Sequence, residues 1–105
     1  MTRATPGPAS LSRPEAGGAA DAFDRVADAV QGARPDAELF ARLEEARRAC
    51  EEAAARAESS ERRQMLINVQ SALRTWREVW PRLGAQQPFR LAVIREARLW
   101  AKRFR

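Results

Sequence analysis

Between Met65 and Leu83 the apolar residues fall into helical register. At about 100° per residue, Met65, Leu66, Val69, Ala72, Leu73, Trp76, Val79, Trp80 and Leu83 share one side, with Gln70, Arg74, Arg77 and Glu78 opposite. A second apolar face follows in Phe89, Val93, Ala97, Trp100, Ala101 and Phe104, interrupted by Arg90. Pro81 to Pro88 separates the two, and Gly84 with two glutamines lets the chain turn there. The pattern predicts that a C-terminal helix, residues 88–105, folds back antiparallel on the stripe. Val69, Leu73, Trp76 and Trp80 would then bury against Phe89, Val93, Trp100 and Phe104, each large side chain contributing roughly 1.5–3 kcal/mol.

Upstream, residues 36–80 contain neither Gly nor Pro. Leu39, Leu43, Ala46, Cys50, Ala53 and Ala57 form a narrow stripe of mostly small residues. Glu38, Glu44, Glu52 and Glu58 each precede an arginine by four positions, the favourable order for helix pairs. Ser59 and Ser60 are able to cap a second helix, but the Glu58 and Arg62 pair spans them and no Gly, Pro or Asn supplies a turn. The reading is one long charged helix, bent near residues 58–60, in preference to a hairpin split near 59. Ahead of it, residues 19–31 predict a short helix with Phe23, Val26, Ala27 and Val30 on one side and Gly32 to end it. Residues 1–18, rich in Pro, Gly, Ser and Ala, read as a flexible tail. The expected fold is all-α, a single helical domain over residues 19–105.

Charge is uneven along this frame. Residues 1–35 sum to 0, residues 36–58 to −3 and residues 59–105 to +8. Such a division suits a polyanionic partner or head-to-tail pairing of copies. Arg95, Arg98, Lys102 and Arg105, spaced i, i+3, i+7 and i+10, line one strip of the last helix and are a candidate polyanion-binding strip. Trp100 or Phe104 would be available to stack on a base if exposed. The plain alternative is the solvated outer face of a packed helix, since no helix-turn-helix, zinc-finger or RNA-binding pattern accompanies the strip. A membrane surface is a weaker fit, because a helix lying on lipid would leave the Trp76 and Trp80 stripe uncovered.

Little in the composition supports chemistry. The chain has no His, no Tyr, one Lys and one Cys. Acids sit in salt-bridged rows rather than converging in a cleft, so no catalytic residue is assigned. One Cys without His builds no zinc site, and no Gly-rich phosphate loop occurs, so neither metal nor cofactor is expected. Cys50, among alanines, reads as a small apolar group. A lone cysteine, no apolar run long enough to span a bilayer and no secretory signal core within residues 1–20 lead to a cytoplasmic expectation.

The functional expectation is therefore a non-enzymatic helical scaffold or adaptor, or a subunit of a larger assembly. It would bind a protein partner or itself through helix faces, with no small-molecule substrate. The alternative is a nucleic-acid-associated protein using the basic strip. Candidate packing or interface residues are Leu39, Leu43, Cys50, Val69, Leu73, Trp76, Trp80, Phe89, Val93, Trp100 and Phe104.

Overall fold

The run from Asp36 to Trp80 is two helices, not one bent helix. The computed structural model describes residues 14–32 and 36–105, with side chains from Gly18 onward. Its described residues form α1 (Pro14–Gln31), α2 (Asp36–Arg56), α3 (Ser60–Leu83) and α4 (Gln87–Arg103). The break falls at Ala57–Ser59 and is built without glycine. Ser59 is extended (φ −97°, ψ 143°), and its hydroxyl accepts the Arg62 backbone N–H at 3.0 Å. Arg63 donates to the Ala57 carbonyl at 2.8 Å, satisfying an oxygen freed at the end of α2. Side-chain caps thus supply what turn residues normally do. Glu58 lies outside both helices and makes no pair with Arg62. Of the other expected pairs, Glu38 with Arg42 (3.7 Å) and Glu44 with Arg48 (3.6 Å) form.

Two other boundaries move. α1 begins at Pro14 rather than at residue 19, and the rest of the expected tail lies outside the described residues. α3 runs through Pro81 to Leu83 instead of breaking at the proline. So close to the helix end, Pro81 forfeits a single backbone bond, and the Gly84 N–H to Trp80 carbonyl bond (2.8 Å) closes the last turn.

Successive helices run antiparallel. Arg25 meets Glu45 between α1 and α2, and Phe40 and Asp36 of α2 meet Arg77 and Trp80 of α3. Arg90, Arg98 and Arg105 of the C-terminal segment meet Val30, Asp24 and Asp21 of α1. The C-terminal helix does fold back antiparallel, but its main cover is α1, not the stripe of α3. The two helices of the expected core touch sparsely, with Trp80 and Phe89 in contact (5.9 Å between ring centres) beside their connecting turn.

The reason lies in α1. Ala19, Ala20, Ala22, Phe23, Val26, Ala27, Ala29 and Val30 are all buried, a face far wider than the four residues read from its periodicity. Alanines let α2 and α4 approach it closely on two sides. Phe23 fills the space between the other helices, within 6.5 Å of Trp76 and Trp100 and 6.1 Å of Phe104. Small buried residues of α2 (Ala46, Cys50, Ala53) and α4 (Val93, Ala97, Ala101) complete the core with Leu66, Val69 and Leu73.

Candidate functional site

The four cations of the predicted strip do not share one environment. Arg98 donates to Asp24 and Asp28, each at 2.8 Å, and Arg105 donates to Asp24 and reaches Asp21 at 3.4 Å. These two guanidiniums zip α4 and the residues just after it to an acidic row on α1 whose 3-and-4 spacing keeps it on one helical face. Burial pushes the Asp24 carboxyl upward, but its hydrogen bonds from Arg105 and Arg98, with their charges, outweigh that and hold it below the ordinary aspartate range. Asp24, then Asp28, raise Arg98 further in return. Arg95 and Lys102 are exposed and have no acidic partner among the described residues. Of the four members of the strip, Arg95 and Lys102 thus stand unpaired among the described residues, while Arg98 and Arg105, still partly exposed, are engaged by the aspartates of α1.

The same outer face of α4 carries Leu91 and Leu99, each 51% exposed and eight residues apart. With Ile67 of α3 at 45%, they are the exposed large apolar side chains among the described residues. Leu91, Arg95, Leu99 and Lys102 repeat at i, i+4, i+8 and i+11, so apolar and cationic groups interleave along one line. Trp100 is half-buried, with the Arg103 guanidinium 5.2 Å from its ring centre, and stacks on Phe104, which is fully covered. Neither ring offers an open face for a base.

The candidate packing residues sort by burial. Leu39, Leu43, Cys50, Val69, Leu73, Trp76, Trp80, Val93 and Phe104 are buried within the chain's own core; Phe89 and Trp100 are half-buried. They hold the fold and are not a free interface. Burial pushes the Cys50 thiol up to about 12, consistent with an apolar role. No group of three or more metal-ligating side chains occurs among the described residues, and none of the helices there is long and apolar enough to cross a membrane.

Two features escaped the sequence reading. Asp21, Asp24 and Asp28 form a row in the sequence, but the charge sum over residues 1–35 sets them against Arg3, Arg13, Arg25 and Arg34 and hides their match to Arg98 and Arg105. Arg90, which in sequence only interrupts an apolar face, ties three elements together. Its guanidinium donates to the carbonyls of Gly84 and Val30 and lies 5.4 Å from the Trp80 ring centre. Both carbonyls stand at helix C-termini, where a cation is favoured.

Grooves complete the surface. One of about 580 Å³ lies between α1 and α2, crossed by the Arg25–Glu45 pair (2.9 Å). Another of about 440 Å³ lies between α2 and α3, over Phe40. No family model matches the chain, and comparison with curated proteins and with solved structures finds no match.

Proposed function

We propose that this protein is a small helical binding module, a scaffold or adaptor that engages protein partners through helix faces and carries out no catalysis. The observation that supports it is the outer line of α4, where Leu91 and Leu99 stand half exposed beside Arg95 and Lys102. Two leucines left in water on one line of a helix, where isolated ones would be ordinary, suit a contact surface. Interleaved cations suit a protein partner better than lipid, because a bilayer would have to take the guanidinium of Arg95 along with the leucines. A reducing compartment such as the cytoplasm fits the single buried thiol.

The test is mass in solution across concentration, together with affinity capture from a lysate, for the native chain and for Leu91→Ser with Leu99→Ser. Loss of a captured partner or of self-association in the variant supports the reading. A native chain that is monomeric at all concentrations and captures nothing overturns it.

The second reading, polyanion binding, rests on Arg95 and Lys102 with the arginines of α3. It requires binding to random-sequence DNA or RNA at low salt that falls steeply as salt is added; no detectable binding removes it.

A further inference from the structure

The groove between α2 and α3 combines two properties that neither helix has alone. Its floor is apolar: Leu43 and Leu73 are 3% and 2% exposed, and Phe40 lies half-buried beside them. Its rim is made by Arg47, Arg74 and Arg77 together with one carboxylate, Glu44. Arg47 is already neutralised, held by Glu44 at 2.8 Å and Glu51 at 3.5 Å. Arg74 has no acidic partner among the described residues, and Arg77 is placed only over the Phe40 ring, 4.7 Å from its centre. Two guanidiniums therefore stand at the edge of an apolar trough with their carboxylate-binding forks unused.

We propose that this groove docks an acidic segment of a protein partner, which sets carboxylates against Arg74 and Arg77 and an apolar side chain against the part of Phe40 that Arg77 leaves open, above the covered Leu43 and Leu73. The proposal rests on the protein-binding reading and adds a second surface, on the side made by α2 and α3, distinct from the line on α4. Charge complementarity selects the acidic partner. The volume of about 440 Å³ is in the range of ligand sites. An open trough between two helices, however, covers too little of a free small molecule, whereas a segment of chain gains contacts along both rims. Single-stranded nucleic acid is disfavoured at this place, since the one aromatic ring in the groove has its face taken by Arg77 and offers no stacking platform.

The test uses a fluorescent, end-blocked helical peptide of Leu and Glu, with Leu at i and i+4 flanked by Glu, and the same peptide with every Glu replaced by Gln. Expected are binding of the acidic peptide that weakens with salt, backbone amide shifts centred on Phe40, Leu73, Arg74 and Arg77, and no binding of the Gln peptide. Arg74→Glu with Arg77→Glu should weaken binding by about tenfold or more with helix content and thermal midpoint unchanged, while Leu91→Ser with Leu99→Ser leaves it intact. No binding of the acidic peptide, equal binding by the Gln peptide, indifference to the charge reversal, or amide shifts centred on α4 would each overturn the groove. Lysate capture separates this from the broader reading: a partner retained by the charge-reversed chain but lost by the leucine variant leaves the module and removes the groove.

Discussion

Phe23 of α1 meets Trp76 of α3 edge to face, with ring centres 6.5 Å apart and planes at 88°. This is the favoured geometry for two aromatic quadrupoles. The contact crosses the bundle, joining two helices whose backbones do not approach each other closely. Phe23 also lies against Trp100 and Phe104, so one side chain of the first helix locks the other end of the chain.

Phe23→Ala should therefore destabilise the fold by about 3–5 kcal/mol, measured by urea unfolding followed by circular dichroism. Trp76→Ala, at a site 8% exposed, should cost a similar amount. Trp100→Ala should cost less, because part of its ring surface is already in water. A Phe23→Ala chain within about 1 kcal/mol of native stability would show that α1 is not the centre of the core.

Acid should loosen α1 from its neighbours. The folded-state carboxyl of Asp24 titrates below its unfolded value, as does that of Glu45, held down first by its hydrogen bond from Arg25. Groups depressed in this way add stability that is fully present above the unfolded pKa of about 4 and is lost as pH falls through the folded pKa. Stability should be level from neutrality to about pH 5 and decline below it. The partly exposed arginines limit each pair to on the order of 1 kcal/mol. Asp24→Asn should lower stability at pH 7 and flatten that decline, which a series of unfolding curves across pH would reveal; identical pH profiles for the two chains would contradict it.

Gly84→Ala should destabilise although the backbone there is ordinary, at φ −64°. A methyl at this position would stand 2.6 Å from the Trp80 ring and 2.7 Å from its carbonyl, closer than such atoms approach. The indole is held by its N–H donating to Asp36 at 3.0 Å, so it cannot swing aside freely. The expected cost is about 1–3 kcal/mol, read as a lower thermal midpoint. If Trp80 is the obstacle, combining Gly84→Ala with Asp36→Ala should cost less than the sum of the two single changes.

Cys50 should resist alkylation in the folded chain and react promptly once the chain is unfolded. Its thiol is wholly covered and its ionisation pushed up to about 12. Trapping with iodoacetamide across a urea series should follow the unfolding curve; rapid labelling of the native chain would place the thiol in the open.

The candidate surfaces were only partly legible. Leu91 and Leu99 carry no signal in the sequence, because exposure depends on what the opposite face of α4 packs against. Arg74 and Arg77 were read as the polar side of a helix, and nothing in that helix alone says that α2 will place Phe40 beneath them. The split of the basic strip likewise needed the register between α1 and α4.

Periodicity by itself determined that this chain is helical and where most of its apolar faces lie, Cys50's among them, because those properties depend on neighbours within a few residues. Tertiary structure decided which faces meet. Burial free energy follows area and carries no address, so the tryptophan stripe was equally able to cover the last helix or receive the first. The wedge of small residues around Phe23 and the pairing of Arg98 and Arg105 with the aspartates of α1 resolved that choice through contacts between residues far apart in the chain, with the local serine and arginine caps at Ala57–Ser59 setting where α2 gives way to α3.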